Sequence, residues 1–416
     1  MSKKDNVAAV PKYRFPEFAL DASIDYVAGG FIFDPITNRN HHADLPILAI
    51  TQEYGAIPRD EIDYKVSVTK KSLKAYKIVE KGDFIISLRS FQGGIEYSMY
   101  DGICSPAYII LRKKTNIIDQ YYKYYFKSHR FIQDLNKDLE GIRDGKMISY
   151  GQFSSILLPK PDEEEQQKIV DCLSSIDDLI SVEEKKLSLL NDYKKGWMQK
   201  LFPTEGRNVP EWRFPEFQDN KEWETAKLIN IADYRRGSFP QPYGLAKWYD
   251  EFNGMPFIQV FDVDDNMRLK ATTKNKISKL ASKQSVFIGK GTLIVTLQGS
   301  IGRVAITQYD AYIDRTLLLF EKFYMDIDKV FFAYIIQRLF EIKKQSAPGG
   351  IIKTITKQAL SEFTVKLPER PEQEKIAKFL SGIDDLISTQ TDRIEALKQH
   401  KKALMQGLFP VAEEVL

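Results

Sequence analysis

The chain has 416 residues, a net charge of +3, 43% hydrophobic residues and 28% charged residues, which is ordinary for a globular protein of two to four domains. No apolar run approaches the ~18 residues of a membrane span, and the charged N-terminal residues lack the apolar segment of a signal peptide. Two cysteines, Cys104 and Cys172, exclude a disulfide scaffold and a cysteine-based metal site, so we expect two buried thiols in a reducing cytoplasm.

Six short phrases occur twice, in the same order. The pairs are YRFPEF (13–18) and WRFPEF (212–217), DYVAGG (25–30) and DYRRGS (233–238), KGDFIISLRSFQGG (81–94) and KGTLIVTLQGSIGR (290–303), LLPKPDEEEQQKI (157–169) and KLPERPEQEKI (366–376), SIDDLI (175–180) and GIDDLI (382–387), and MQKLFP (198–203) and MQGLFP (405–410). The spacing stays between 199 and 209 residues. Chance does not produce such an ordered set, so the chain is an internal duplication.

The first body, residues 1–160, mixes strands and helices. The runs DFIISL (83–88) and AYIILR (107–112) predict buried strands, and residues 118–139 have helical periodicity. We therefore predict an α+β body with a strand-rich core.

Two glycine-containing turns of this body carry candidate DNA contacts. Arg and Gln make bidentate contacts to base edges, Ser contacts either, Lys suits phosphate contact, and glycine lets the backbone approach phosphates. The candidates are Arg89, Ser90 and Gln92 in LRSFQGG (88–94), and Arg143 and Lys146 in EGIRDGKMIS (140–149). The alternative is that these are polar surface loops, with glycines that only enable hairpins.

Residues 161–205 predict one long central helix. Pro161 and acidic residues lie near its start and Lys194 and Lys195 lie late, as the helix dipole favours. A heptad stripe runs along it: Ile169, Leu173, Ile176, Ile180, Leu187, Leu190, Trp197 and Leu201. The helix should be ~35–40 residues, or roughly 55–60 Å, long.

The second body, residues 206–367, repeats the pattern of the first. TLIVTL (292–297) and RTLLLF (315–320) predict strands, and residues 328–345 predict a helix. Its candidate DNA contacts are Gln298, Ser300 and Arg303 in LQGSIGR (297–303), and Lys353 in APGGIIKTIT (347–356).

The final segment, residues 368–416, predicts a C-terminal helix with a tail. Its stripe matches the first one: Ile376, Leu380, Ile383, Ile387, Ile394, Leu397, Leu404 and Leu408. Two such stripes predict an antiparallel coiled coil with pseudo-twofold symmetry. One register pairs Glu183 with Lys401 and Lys194 with Gln390, and other registers keep the same symmetry. The alternative is that both are core helices of ordinary domains.

The distribution of charge and the absence of known cofactor motifs narrow the possible classes of function. The central segment 161–203 carries −4 and the C-terminal segment 368–410 carries 0, so the remainder must carry +7 to give the total of +3. The positive charge therefore lies in the bodies, where a polyanion would bind. The sequence contains no phosphate-binding loop, dinucleotide fingerprint or zinc motif. The Asp pairs 177–178 and 384–385 lie within the predicted helices beside the stripe, so we expect solvated or partner-facing carboxylates and no catalytic or metal site.

With these features in place, the chain closely resembles the specificity (S) subunit of type I restriction-modification systems. The resemblance covers almost the whole chain and depends on the PEF leads, RSFQGGIEYS and SPAY in the first body, the two P-x-x-x-E-Q-x-K-I helix starts, IDDLI and LFP. The first body has SPAY (105–108) where the second has DRTL (314–317), which suggests different base recognition.

This resemblance implies two target-recognition domains, separated by the two helices, that each recognise one half of a bipartite double-stranded DNA site. The helices would set the spacer and dock two methyltransferase subunits, which bring S-adenosylmethionine and adenine-N6 methylation. Two restriction-translocation subunits would bring ATP, Mg²⁺ and cleavage. The S subunit itself would be non-catalytic and cytoplasmic, with no membrane partner. The rival hypotheses are a DNA-modifying enzyme with an unrecognised site and a coiled-coil adaptor that does not bind DNA.

Overall fold

The chain folds into two units, and each contains one body with half of each of two long helices. The computed structural model describes residues 8–21, 23–41, 45–62, 70–137, 148–346 and 360–410. Unit 1 comprises Met1–Glu184 with Arg393–Leu416, and unit 2 comprises Lys185–Asp392. Among the described residues, no helix is both long and apolar enough to cross a membrane.

Unit 1 contains the first body. Its strands are β1 (Ala8–Ala9), β2 (Ile24–Ala28), β3 (Phe33–Ile36), β4 (Leu48–Thr51), β5 (Gly55–Pro58), β6 (Lys77–Val79), β7 (Phe84–Ile86), β8 (Glu96–Tyr97), β9 (Gly102–Cys104), β10 (Ile109–Lys113) and β11 (Leu157–Pro159). Its helices are α1 (Gly29–Ile32), α2 (Lys70–Leu73), α3 (Ser90–Gly93), α4 (Asp119–Tyr125), α5 (His129–Asn136), α6 (Tyr150–Ser155) and the first half of the central helix, α7 (Glu163–Leu201). The main sheet is antiparallel, with order β3-β10-β7-β8.

Unit 2 contains the second body. Its strands are β12 (Glu224–Lys227), β13 (Ala232–Arg236), β14 (Met255–Ile258), β15 (Asn275–Ile277), β16 (Val286–Ile288), β17 (Leu293–Thr296), β18 (Val304–Ile306), β19 (Ala311–Ile313), β20 (Leu317–Phe323) and β21 (Thr364–Leu367). Its helices are α8 (Leu228–Ile231), α9 (Lys279–Ser282), α10 (Lys329–Ser346) and the first half of the C-terminal helix, α11 (Arg370–Leu408). A second four-stranded sheet has the order β15-β14-β19-β16.

The main sheet of unit 2, β13-β20-β17-β18, repeats the strand order of the main sheet of unit 1. The central strands β7 and β17 are buried along their whole length, as their uninterrupted apolar sequences predict. The predicted α+β class and the internal repeat are therefore confirmed.

The helical segments of the two bodies differ at one point. Residues 118–139 predict one helix, but the structure has α4 and α5, because Ser128 interrupts the run and caps α5 by accepting a hydrogen bond from the Phe131 amide at 3.3 Å. The corresponding α10 is continuous.

The LFP phrases anchor the ends of the long helices in the body cores. In unit 1 the Phe409 ring packs on Tyr121 and Tyr125, with ring centroids 5.4 and 5.5 Å apart. In unit 2 the Phe202 ring stacks on Phe331 at 5.5 Å. Each repeated LFP phrase is thus a core element of the unit in which its helix ends.

The helix halves run antiparallel within each unit. In unit 1, Lys401 of α11 contacts Asp177 of α7 at 2.5 Å, and Arg393 contacts Glu183 at 2.8 Å. Residue numbers rise on one helix as they fall on the other, which defines the direction.

Unit 2 shows the same direction. Lys194 of α7 contacts Asp384 of α11 at 2.7 Å, and the rings of Trp197 and Phe379 lie 5.1 Å apart. The register that pairs Glu183 with Lys401 and Lys194 with Gln390 is wrong. Both lysines pair with an aspartate six residues nearer the N-terminus of the partner helix than that register requires. The stripe tolerates a shift of about one heptad, so apolar spacing alone did not fix the register.

The stripe residues serve the body cores as well as the helix pair. Those in the core cluster of unit 1 include Ile169, Leu173 and Leu408, and those of unit 2 include Leu201, Ile376, Leu380, Ile383 and Ile387. Ile180 and Ile394 are also buried, whereas Ile176, Leu187, Leu190, Trp197, Leu397 and Leu404 are partly buried. The helices therefore combine features of the paired-coil and core-helix alternatives.

A duplicated set of polar contacts fixes the start of each long helix. In unit 2, Arg213 of the RFPEF phrase binds Glu372 in a bidentate pair, with Nε–Oε1 at 2.9 Å and Nη2–Oε2 at 2.5 Å. The side chains are only 6% and 1% exposed. The Gln373 amide donates to the Pro368 carbonyl at 2.9 Å and its oxygen accepts from the Asp328 amide at 2.9 Å.

Unit 1 repeats every one of these contacts. Arg14 binds Glu165 with both N–O distances at 2.8 Å. Gln166 donates to the Pro161 carbonyl at 2.7 Å and accepts from the Ile118 amide at 2.9 Å. The repeated RFPEF and E-Q-x-K-I phrases are therefore explained by anchoring inside each unit.

Removing one member of the buried pair should destabilise the chain strongly. Arg213→Met leaves the Glu372 carboxylate buried with only a 3.4 Å contact from Trp223 Nε1, and we expect a loss of about 3–5 kcal/mol in the free energy of unfolding. The double variant Arg213→Met/Glu372→Met should recover much of this. Urea unfolding of the full chain measures both.

The matched control is Lys375→Ala, which breaks the exposed pair with Glu216 from the same two phrases. We expect no measurable change because solvent screens this pair. An Arg213→Met midpoint equal to that of Lys375→Ala would contradict the anchoring role.

Candidate nucleic-acid interface and repeated helix surface

The turn after β7 presents two of its three predicted DNA contacts. Arg89 and Gln92 are exposed, whereas Ser90 is 1% exposed and its hydroxyl accepts a hydrogen bond from the Ser87 amide at 2.9 Å. Gly94 has φ +79°, and a Cβ there would lie 1.9 Å from the Phe126 carbonyl oxygen. Glycine thus lets the turn pack against the end of α4, with Arg89 and Gln92 facing solvent.

The turn after β17 presents a different set. Gln298 and Ser300 are exposed. The Arg303 guanidinium pairs with Asp265 at 2.7 Å and donates to the Val263 carbonyl at 3.1 Å. These contacts hold the Arg303 guanidinium against residues 263 and 265, whereas Gln298 and Ser300 are exposed in the turn itself.

This turn borders a cavity of about 490 Å³. Its charged lining mixes signs: Asp264, Asp265, Arg303, Glu341 and Lys344. The cavity therefore lacks the uniform positive lining that a phosphate site needs. The candidates Arg143, Lys146 and Lys353 lie outside the described residues, and their role stays a prediction.

The first aspartate of IDDLI joins three elements in each unit, in what we term the Asp–Lys–Tyr cluster. In unit 1, Asp177 accepts from the Tyr124 hydroxyl at 2.8 Å and pairs with Lys401, whose ammonium lies 5.0 Å from the Tyr124 ring centroid. A body helix, α7 and α11 thereby meet at one carboxylate.

Unit 2 contains the same cluster. Asp384 accepts from the Tyr334 hydroxyl at 2.6 Å and pairs with Lys194, whose ammonium lies 5.4 Å from the Tyr334 ring centroid. Burial, followed by the adjacent carboxylate, raises the pKa of Tyr334 well above its usual range, so the hydroxyl stays a donor. Sequence reasoning missed both tyrosines, although aligning the predicted helices 118–139 and 328–345 superimposes them.

The outward side of IDDLI is exposed in both units. Asp178, Leu179, Asp385 and Leu386 all face solvent, and the two leucines are 38% and 57% exposed. Asp385 pairs with Arg268 at 2.7 Å. No packing within either unit accounts for an exposed leucine at the same place twice.

Metal-ligating side chains do not cluster in the part of the chain that the structure describes. Within those ranges, no three His, Cys, Asp or Glu side chains lie together as a metal site would require. Cys104 is buried as predicted, and burial raises the pKa of its thiol to about 12, so it stays protonated. Cys172 is only partly buried.

The family of the chain follows from comparison with known proteins. The family model for the type I restriction modification DNA specificity domain matches residues 30–192 and again residues 220–399. The two matches cover both halves of the repeat. The chain therefore belongs to this family, as a specificity subunit of a type I restriction-modification system.

Two curated relatives from Methanocaldococcus jannaschii agree. The putative type I restriction enzyme MjaX specificity subunit is 25% identical over 360 residues, covering 84% of this chain and 82% of the relative. The type I restriction enzyme MjaVIII specificity subunit is 27% identical over 370 residues, covering 84% and 83%.

Two solved structures share the fold. One, described as the structural basis of complex assembly and conformational transition of the type I R-M system, has a TM-score of 0.59 at 16% identity and covers 92% of this chain and 97% of its own. The type I system S subunit from M. genitalium has a TM-score of 0.54 at 13% identity, covering 97% and 100%.

Proposed function

We propose that this specificity subunit recognises a bipartite double-stranded DNA site, with the first body binding one half and the second body the other. The observation that carries the proposal is the contrast between the main sheet that the two bodies share and the turns in which they differ. The main sheets of the two units share one strand order, yet the exposed turn carries Arg89 and Gln92 in one and Gln298 and Ser300 in the other. Different side chains at the same place on matching main sheets suit different half-sites.

We further propose that the two long helices set the spacer between the half-sites. Each is 39 residues long, or about 58 Å. A duplex turn is roughly 34 Å, so such helices suit half-sites one to two turns apart. The four segments 1–160, 161–205, 206–367 and 368–416 then divide into recognition domains and spacing helices.

The outward side of IDDLI suits a partner that binds twice. We assign it to two methyltransferase subunits, which would supply S-adenosylmethionine for adenine-N6 methylation. Two restriction-translocation subunits would add ATP-dependent cleavage, and the assembly would act in the cytoplasm. The exposed Leu179 and Leu386 support this assignment, since solvent-facing leucines at repeated positions fit a doubled contact. The adaptor rival gives no reason for the different side chains of the two turns, and the described residues contain no metal-ligating cluster that would favour the enzyme rival.

Substitutions in the two turns should act on separate half-sites. In the complex with the methyltransferase partner, we expect Arg89→Ala to reduce discrimination in one half-site about tenfold to a hundredfold, and Gln298→Ala to do so in the other. Methylation rates on DNA with single base changes measure this. Equal loss at both halves from either variant would contradict the modular proposal.

A salt series on the same complex separates the proposal from the adaptor rival. Binding should weaken steeply with salt because phosphate contacts release counterions. Absence of DNA binding at low salt would refute the proposed function.

Charged substitutions on the repeated helix surface should release the methyltransferase subunits. Because both leucines are exposed, Leu179→Glu and Leu386→Glu should fold, and each should lose one of two bound copies. Native mass spectrometry of the complex counts the copies.

Leu280→Glu is the matched control, since Leu280 is 48% exposed on α9. It should keep both copies. Retention of both copies by the double variant Leu179→Glu/Leu386→Glu would rule out this docking surface.

A further inference from the structure

Three strand ends meet at one edge of the main sheet of unit 2. The Leu297 amide, just after β17, donates to the Thr316 carbonyl at 2.8 Å, and the Gly237 amide, just after β13, donates to the Leu317 carbonyl at 3.1 Å. A Cβ at Gly237 would lie 2.3 Å from the Ile313 carbonyl oxygen, so only glycine permits this approach. Arg315, in the DRTL phrase, thus lies beside the Gln298 turn.

Arg315 differs in its contacts from two other arginines that lie in or next to this sheet. It is exposed, and its guanidinium carbon lies 5.1 Å from the Tyr243 ring centroid. Among the residues that the structure describes, no acceptor hydrogen-bonds its guanidinium. Arg235 and Arg303, by contrast, are engaged by Glu321 at 2.6 Å and by Asp265 at 2.7 Å. A guanidinium that lies over an aromatic ring and has no hydrogen-bond acceptor keeps its N–H donors available.

The tyrosine beneath Arg315 is fixed at both of its ends. Its hydroxyl donates to Asp314, which is 2% exposed and also accepts from the Thr316 amide at 2.8 Å and hydroxyl at 2.5 Å. Its ring packs on Phe239, with centroids 4.8 Å apart. Burial and then the Asp314 carboxylate raise the pKa of Tyr243, so it remains a donor. The Tyr243 ring is therefore held in one position before any ligand binds.

We propose that Arg315 recognises a guanine in the half-site bound by the second body, and that Tyr243 is the positioning residue that orients it. The planar guanidinium, placed over an aromatic ring with its N–H donors unused, matches the O6 and N7 acceptors of guanine in the major groove. This inference rests on the proposed function, and it adds which base is recognised and which residue recognises it.

The first body has no arginine in the segment that corresponds to DRTL. There the phrase is SPAY (105–108), which has no cation. The guanine contact is therefore specific to one half-site, and changes at Arg315 should leave the other half-site unaffected.

The test uses the full chain in complex with its methyltransferase partner and a DNA panel that varies each base of both half-sites. Arg315→Ala should lower discrimination about tenfold or more at one guanine of one half-site. Arg315→Lys should keep overall affinity yet lose that discrimination, because lysine retains the charge without the fork. Tyr243→Phe should weaken discrimination at the same position, and Arg235→Ala is the control that should change nothing.

Two outcomes would overturn the inference while leaving the proposed function intact. One is unchanged discrimination in Arg315→Ala when the wild-type complex discriminates. The other is uniform weakening on all sequences with a salt slope lower by about one, which would mark a phosphate contact. A wild-type complex without sequence preference would instead refute the proposed function.

Discussion

A carboxylate shared by three elements is the interaction on which the structure depends. Asp177 and Asp384 each join α7, α11 and a helix of the adjacent body through one lysine and one tyrosine. Removing any member would leave a partly buried charge or hydroxyl without its partner. Because the lysine comes from the opposite helix, the same contact selects both helix direction and register.

The duplicated phrases have two roles: most of their residues make contacts inside a unit, and a few face solvent. RFPEF, E-Q-x-K-I, LFP and the first aspartate of IDDLI anchor helix to body inside each unit. The need to repeat these contacts explains much of the identity between the copies without any partner. Two features of the repeat are not explained by packing inside the units: the exposed Leu179 and Leu386, and the different turns that carry Arg89 and Gln298.

Sequence patterns predicted the secondary-structure elements better than they predicted the side-chain contacts. Apolar runs located β7, β10, β17 and β20, and the heptad stripes located α7 and α11. The register of α7 against α11 was predicted wrongly because a shift of one heptad preserves the apolar stripe. The aspartate that each lysine pairs with also contacts a body tyrosine that is distant in sequence. The sequence also did not predict the burial of Ser90 or the ion pair between Arg303 and Asp265. Both depend on how a turn folds back on the body.

The most direct test of the account lengthens both helices by one heptad, between residues 184 and 185 and between 392 and 393. A heptad preserves the stripe and adds roughly 10 Å, or about three base pairs. Mapping methylated adenines in cells that carry the altered subunit gives the spacing between half-sites. The account predicts that methylation at the wild-type spacing is lost and that any bipartite motif retained joins the same half-sites across a longer gap. Methylation at the unchanged spacing would contradict it.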